Sequence, residues 1–163
     1  TGNIAHRVAD ILRAAFDVRV LCWNPRRTAA ECAAWGYEQV KTLPELFRRS
    51  DIVNVSITLC DETRGLINAP VFAAANPELL LVNTSRGGIV NEHDLYVALT
   101  TGQIRAAASD VFEHEPPASD DPLIHLDNFI ATFHIGGSTY ESLERVSNRA
   151  VDYVFQYTGV AER

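Results

Sequence analysis

The chain has 163 residues, of which 47% are hydrophobic and 21% charged, and its formal net charge is -7. This composition is typical of a globular protein with one sizeable core. The negative charge argues against nucleic acid as a general partner, and no stretch approaches the roughly 20 apolar residues of a membrane span. Cys22, Cys32 and Cys60 lack the spacing of a zinc site. We therefore expect no metal, and reduced thiols in a cytoplasmic protein.

Helices and strands are predicted to alternate along the chain. Residues 1–16 form an amphipathic helix in this interpretation, because Ile4, Val8 and Ile11 keep a helical period. Further helices are predicted up to Gly36 and at 43–50, 69–75, 91–102 and 138–157, and strands at 18–23, 51–57, 79–84, 105–111 and 128–133. We interpret residues 38–50 as a solvated helix face. The alternation predicts one α/β domain with a doubly wound, mostly parallel, Rossmann-like sheet.

The N-terminal segment resembles half of a dinucleotide fingerprint. Gly2 and Ala5 fit the last two positions of G-x-G-x-x-G/A, and Asn24 ends the next strand, where such units usually place an acidic residue against the adenosine ribose. The first strand would precede Thr1, and the chain contains no methionine. Losing a central strand forfeits roughly 1.5–3 kcal/mol per buried aliphatic side chain. We therefore expect a longer polypeptide, or a partner chain that fills the gap.

Arg86 follows the apolar run at 79–82, at the edge where open α/β sheets bind ligands. Its guanidinium offers a planar fork of donors that suits a carboxylate. Gly87 and Gly88 after it would allow a sharp turn and the close approach of a ligand. The alternative is a surface arginine in a flexible turn.

Two other predicted strands also end in polar side chains. Asp110 ends one strand, Glu115 lies in the proline-stiffened loop beyond it, and His134 follows the next. A 2-keto acid needs a cation for its carboxylate, a proton donor for its carbonyl oxygen, and a carboxylate that orients the donor and raises its pKa. Singly, each side chain also fits an ordinary loop role, but together they suit this chemistry.

Three segments resemble, in this order and spacing, the signatures of the D-isomer-specific 2-hydroxyacid dehydrogenases: NTSRGGIVNEHDLYVAL, AAASDVFEHEPP and ATFHIGGST. The segment SDIVNVSITLCDETRGLIN matches the same family without a gap. The resemblance covers essentially the whole chain. It implies the nucleotide-binding domain of a two-domain enzyme that interconverts a D-2-hydroxy acid and its 2-keto acid. The substrate domain would come from the two ends of a longer chain, and this piece alone would be inactive.

The resemblance also assigns roles to residues. His134 would protonate the carbonyl oxygen, Glu115 would be its partner, and Arg86 would bind the substrate carboxylate and carbonyl. Backbone N–H groups of Asn3 and Ile4 would meet the pyrophosphate. The other positions expected to bind the cofactor are Gly2, Asn24, Pro25, Arg26, Ile57, Thr84, Ser85, Asp110, Gly136 and Gly137, together with Arg86 and His134.

The sequence departs from the family pattern at three places. Ala5 replaces the usual third glycine of the fingerprint, a change that the fingerprint tolerates. Residues 56–58 read Ser-Ile-Thr, where the family often has His-Leu-Pro or His-Val-Pro. Asn24 replaces the acidic residue, and Arg26 and Arg27 follow it. An aspartate would repel a 2′-phosphate, whereas asparagine does not and arginines can bind one. NADP is therefore an alternative to NAD, unless the two arginines simply form a solvated turn.

Two classes of function fit these features. One is an NAD(P)-dependent oxidoreductase acting on a small 2-hydroxy or 2-keto acid. The other is a non-catalytic, NAD(H)-sensing scaffold, as in the C-terminal-binding-protein corepressors, which keep the same residues. Family members are commonly dimers through this domain, so we expect a homodimer, with the apolar side of the helix at 91–102 as a candidate contact.

Overall fold

The computed structural model describes residues 2–159, so Thr1 of the first predicted helix lies outside the described residues. The chain divides into two compact units, a larger one that ends at Phe133 and a smaller one that begins at His134. In the larger unit, short helices alternate with parallel strands, as the sequence predicted. The smaller unit carries one long helix.

Every predicted helix and strand occurs, and most are shorter than predicted. The elements in chain order are α1 (Asn3–Phe16), β1 (Leu21–Cys22), α2 (Ala29–Ala34), β2 (Glu38–Gln39), α3 (Leu43–Arg49), β3 (Ile52–Val55), α4 (Ala69–Phe72), β4 (Leu80–Asn83), α5 (Glu92–Thr100), β5 (Ala106–Ser109), a 3-10 turn (Leu123–His125), β6 (Phe129–Ala131) and α6 (Tyr140–Thr158).

The strands form two parallel sheets. The main sheet has the order β3-β4-β5-β6, with Ile52 opposite Leu80 and Leu80 opposite Ala106. Strands β1 and β2 pair with each other in a second sheet, and within residues 2–159 no strand joins the two sheets. Because all pairs are parallel, the carboxyl ends of β4, β5 and β6 meet at one edge, which places Arg86 and Asp110 near each other along the sheet.

Residues 38–50 are not one solvated helix face, so that prediction was wrong. Glu38 and Gln39 form β2, Val40 is 2% exposed, and only Leu43–Arg49 is helical. The Thr42 hydroxyl caps α3 by accepting the Glu45 N–H. A strand of two residues is too short to show a periodic pattern, which explains the error.

The main core lies where α3, α4 and α5 pack on the main sheet. Its fully buried side chains include Phe47, Phe72, Leu79, Leu81, Ile89 and Ile104. Leu95, Ala98 and Leu99 of α5 also enter this core. The apolar side of α5 is therefore used inside the unit, and the prediction that it serves a dimer was wrong for these residues.

A second, smaller cluster joins α1 to the β1–β2 sheet. It contains the thiols of Cys22 and Cys32 with Ala9 and Tyr37, and burial raises the pKa of Cys22 to about 12. These two cysteines are core thiols, as predicted, whereas Cys60 is only partly buried.

Among the helices described here, none combines the length and the apolar character needed to span a membrane. Within residues 2–159, no cluster of histidine, cysteine, aspartate and glutamate side chains has the arrangement of a metal site.

Candidate active site

The turn after β4 is organised by Asn83, a buried residue that the sequence analysis missed. Its side-chain oxygen accepts the Ser85 N–H at 3.1 Å and the Ser85 hydroxyl at 2.7 Å. Its side-chain nitrogen donates to the Arg86 carbonyl at 3.4 Å. This is the local bonding by which asparagine closes a turn, so the asparagine at the strand end was a usable signal.

Arg86 lies exposed at the carboxyl end of β4, where the sequence predicted it. Its Nη1 donates to the Ser85 carbonyl at 2.6 Å. A guanidinium carries five N–H donors, so this bond orients the group while leaving a fork that suits a carboxylate. Thr84 is exposed beside it, and Ser85 is partly buried.

Gly87 brings the Arg86 turn against the loop after β5. A Cβ atom at Gly87 would lie 1.9 Å from the carbonyl oxygen of Phe112 and 2.7 Å from the backbone nitrogen of Glu113. The close approach predicted here is therefore made by the protein's own backbone, not by a ligand. Gly88 has a φ of 78°, and its carbonyl accepts the Gly65 N–H at 2.7 Å.

Glu115 lies in the loop that packs on Gly87. Its Oε1 accepts the Phe112 N–H at 3.0 Å, which folds the side chain back over the start of the loop. The structure thus brings the segment that carries Glu115 next to the turn that carries Arg86. Both side chains are exposed, as groups that meet a substrate must be.

Asp110 is 6% exposed at the carboxyl end of β5. Its Oδ1 accepts the Thr132 hydroxyl at 2.5 Å, and its N–H donates to the Asn83 carbonyl at 3.0 Å. Asp110 therefore ties together the ends of β4, β5 and β6. Asp110 thus lies at the carboxyl edge of the sheet, where it was predicted, and its side chain is buried there.

Glu92, the first residue of α5, is a second residue that the sequence analysis missed. Its Oε1 accepts the Glu113 N–H at 2.6 Å. Burial raises the pKa of the Glu92 carboxyl, the Glu113 N–H opposes that shift, and the charges of Glu113 and Asp121 reinforce it. The carboxyl lies 21 positions from its partner, so no local pattern announces the contact.

The predicted pyrophosphate site is the N-terminus of α1. Gly2 is the N-cap, no side chain caps this end, and the first turn contains no acidic residue. Asn3 and Ile4 form the first turn, and Ile4 is 69% exposed. The first N–H groups of a helix point out of its N-terminus and favour an anion there.

The turn after β1 contains Asn24, Pro25, Arg26 and Arg27. The Asn24 side-chain oxygen accepts the Arg26 N–H at 2.9 Å, which closes the turn. Arg27 donates to Glu31 at 3.0 Å and lies 5.5 Å from the centre of the Trp35 ring. Arg27 therefore contacts α2 and the residue that follows it, and both arginines are exposed.

Ile57 follows β3 and packs partly buried against the main core. Before it, the Asn54 side chain donates to the Ser56 hydroxyl at 2.7 Å. The Ser56 hydroxyl is therefore used in a hydrogen bond within the protein. Ile57 offers an apolar surface rather than a polar one.

His134, Gly136 and Gly137 lie in the smaller unit. His134 is exposed and has a φ of 56°, the left-handed region that non-glycine residues seldom adopt. The Ser138 N–H donates to the Ile135 carbonyl at 2.9 Å, and the Thr139 hydroxyl caps α6 by accepting the Ser142 N–H. Of the three predicted catalytic residues, the larger unit therefore contains Arg86 and Glu115 but not His134.

Comparisons with known proteins agree with this architecture. Residues 1–136 match the family model for the NAD binding domain of D-isomer specific 2-hydroxyacid dehydrogenases. Hydroxypyruvate reductase of Thermotoga maritima is 35% identical over 162 residues, which are 98% of this chain and 51% of that protein. The chain thus spans about half the length of this relative.

Two solved structures are also similar. A putative D-3-phosphoglycerate dehydrogenase from Ralstonia solanacearum has a TM-score of 0.88 and 34% identity, covering 99% of this chain and 47% of that one. An acyclic imino acid reductase in complex with NADPH and D-Arg has a TM-score of 0.84 and 28% identity, and the match covers 97% of this chain and 48% of that one. The chain belongs to the D-isomer specific 2-hydroxyacid dehydrogenase family, as its NAD-binding domain.

Proposed function

We propose that this chain is the coenzyme-binding half of an NAD(P)-dependent oxidoreductase that interconverts a D-2-hydroxy acid and its 2-keto acid. The observation that carries the proposal is the backbone contact at Gly87. It joins the turn of Arg86 to the loop of Glu115 at the carboxyl edge of a parallel sheet. A cation and a carboxylate at that edge suit the two polar ends of a 2-keto acid.

The residues of the larger unit fit a dinucleotide. The N-terminus of α1 offers N–H groups and no competing acid, and Gly2 leaves open space where a side chain would stand. Asn3 and Ile4 would hold the pyrophosphate, and the turn at Asn24 would meet the adenosine ribose. Thr84 and Asp110 would line the nicotinamide end, whose reduced form supplies the hydride. The family resemblance assigns Gly137, which is in the smaller unit, to the same end of the coenzyme.

Each proposed catalytic residue has a distinct task in the reduction of the 2-keto acid. Arg86 binds and orients the substrate carboxylate through charge-assisted hydrogen bonds. His134 donates a proton to the carbonyl oxygen as the carbonyl carbon is reduced. Glu115 orients His134 and favours its protonated form. In the oxidation direction, His134 takes the hydroxyl proton back.

The proposal includes NADPH as well as NADH. Residue 24 is an asparagine, so it presents a neutral amide and no carboxylate to a 2′-phosphate, and its side-chain oxygen accepts the Arg26 N–H. Arg26 is exposed and not bound to α2, unlike Arg27. The similar imino acid reductase is an NADPH complex, which supports this extension.

The proposal also includes a second, substrate-binding domain outside these 163 residues. The relative described above is about twice as long as this chain, which supports this part of the proposal. A homodimer and a cytoplasmic location belong to the same proposal. Sedimentation of the complete protein and its distribution among cell fractions test them.

The test of the proposal is turnover of 2-keto acids by the protein in its complete natural form. We expect His134→Asn to lower kcat by about 10²–10⁴-fold and Glu115→Gln to lower it as well. His125→Asn is the matched control, since His125 contacts the Ser119 carbonyl outside the site. Unchanged rates in both site variants contradict the assignment. NADH binding without turnover of any 2-keto acid favours the non-catalytic scaffold.

A further inference from the structure

Phe112 and Glu113 are held at three points where the loop of Glu115 begins. The Phe112 carbonyl packs on Gly87, so no side chain fits between the two backbones. The Phe112 N–H donates to Glu115 Oε1 at 3.0 Å, and the Glu113 N–H donates to Glu92 Oε1 at 2.6 Å. The contacts with Gly87 and Glu115 involve residues already considered for the site. The contact with Glu92 comes from α5.

Glu92 stands in an environment that disfavours a charge. It is partly buried and borders the small interior space between β4, β5 and the loop, beside Ser109 and Phe112. The carboxylates of Glu113 and Asp121 also raise the pKa of Glu92, and His114 acts in the opposite direction. A half-buried carboxylate among like charges destabilises a fold unless its bonds offset the cost. The bond to the Glu113 N–H offsets part of this cost, and it also holds the backbone at the start of the loop.

We propose that Glu92 is a positioning residue for Glu115. By holding the Glu113 N–H, it fixes the peptide between Phe112 and Glu113, and Glu113 lies two residues before Glu115 in the same loop. Because α5 begins four residues after Gly88, the same carboxylate ties that loop to the helix that follows the Arg86 turn. Glu92 thus sets the Glu115 carboxylate relative to Arg86 without touching the substrate. This role rests on the function proposed above.

Two variants separate the hydrogen bond from the charge. Glu92→Gln keeps an oxygen that accepts the Glu113 N–H but removes the charge. Glu92→Met keeps the length and fills the same space without an oxygen acceptor. Asp94→Ala is the matched control, because Asp94 lies on the same helix and its carboxylate accepts the Ala69 N–H at 2.8 Å, away from the loop.

The variants are measured in the complete natural protein with its coenzyme. A displacement of about 1 Å in a catalytic group costs up to about 100-fold, so we expect Glu92→Met to lower kcat by 10- to 100-fold while the KM for NADH stays unchanged. The midpoint of the pH profile for reduction should fall, because a displaced Glu115 supports a protonated His134 less well. Hydrogen exchange at the Glu113 amide should accelerate. In Glu92→Gln, kcat, the pH midpoint and the hydrogen exchange of the Glu113 amide should all stay close to the wild-type values. Asp94→Ala should also leave all three unchanged.

The outcomes separate this role from the proposed function. A wild-type protein without turnover overturns the proposed function and this role with it. An active wild type whose Glu92→Met variant keeps its kcat and pH midpoint overturns the role of Glu92 alone. Equal losses in Glu92→Met and Asp94→Ala also overturn it, because they would reflect a general weakening of α5.

Discussion

A Cβ atom on Gly87 would lie 1.9 Å from the carbonyl oxygen of Phe112, so the backbones of these two residues are in direct contact. Gly87 follows Arg86, the proposed substrate-binding arginine. Phe112 lies at the start of the loop that carries Glu115, the proposed acid–base carboxylate. The distance between the two functional segments is therefore set by main-chain atoms, which cannot rotate away as side chains do.

Gly87→Ala should displace the loop of Phe112, because the added methyl group overlaps backbone atoms. We expect a loss of about 1–3 kcal/mol or more in the free energy of unfolding, together with a fall in turnover. Gly102→Ala is the control: it has a φ of 71° and open space around it, so it should cost about 1 kcal/mol and leave turnover intact. Chemical denaturation and steady-state rates measure both. Full activity in Gly87→Ala would contradict this account.

Arg86→Lys tests whether the fork of the guanidinium matters or only its charge. Lysine keeps the charge but cannot form two parallel bonds to a carboxylate, so we expect the KM for the 2-keto acid to rise by about 10-fold or more. The affinity for NADH should change much less. Arg105→Lys is the control, because Arg105 pairs with Glu78 on the surface at 3.3 Å. An unchanged KM in Arg86→Lys would mean that another group binds the carboxylate.

The coenzyme preference should depend on Arg26 and not on Arg27. Loss of a bond to a charged group costs about 1.5–3 kcal/mol, so Arg26→Ala should weaken NADPH binding by about 10-fold or more and leave NADH binding unchanged. Arg27→Ala should lower stability instead, because it breaks the contacts with Glu31 and Trp35. Calorimetric titration with both coenzymes tests this. Equal weakening of NADH and NADPH would rule out a 2′-phosphate contact.

Glu62 should also affect the coenzyme preference, but it should weaken NADPH binding where Arg26 strengthens it. A hydrogen bond from Cys60 is the main cause that lowers the pKa of Glu62, and the charge of Arg26 contributes to it. The Glu62 and Arg26 side chains therefore interact electrostatically. Glu62→Gln removes a negative charge near the proposed phosphate position, so NADPH should bind more tightly. Unchanged NADPH affinity in this variant would place Glu62 away from the phosphate.

The strand ends were predictable from the sequence, because alternating apolar runs locate them and a parallel sheet brings them to one edge. Arg86 and Asp110 occupy that edge in the structure. Asn83 and Glu92 were missed for different physical reasons. Asn83 acts within its own turn and could have been found. Glu92 meets Glu113, 21 positions along the chain, only through tertiary packing.

The environment of the predicted residues was harder to foresee than their position. The sequence treated Arg26 and Arg27 as equivalent, but Glu31 and Trp35 hold only Arg27. Gly87 was expected to admit a ligand and instead admits the Phe112 backbone. The Gly87 contact joins two loops that lie far apart in sequence, which periodicity does not encode. The Arg27–Glu31 pair, in contrast, has i, i+4 spacing, so it was a usable signal.

The charge of Glu92 should make stability depend on pH in a defined direction. Burial raises the pKa of this carboxyl in the folded state. The protonated form is therefore favoured by folding, and its contribution is present at low pH and lost as the pH rises through the folded-state pKa. Above that pH, wild type has a charged, partly buried group. Glu92→Gln should then be the more stable protein at pH 7, by less than about 4 °C in Tm.

The difference between Glu92→Gln and wild type should shrink as the pH falls toward about 4, where the wild-type carboxyl also becomes neutral. Glu45→Gln is the control with the opposite sign. The Lys41 N–H, followed by Arg49, lowers the pKa of Glu45, so this variant should be less stable than wild type at pH 7 and approach it in acid. Thermal unfolding from pH 4 to 8 measures both variants. A Glu92→Gln protein that is less stable than wild type at pH 7 would show that the charge itself stabilises the loop, and the desolvation argument for Glu92 would be wrong.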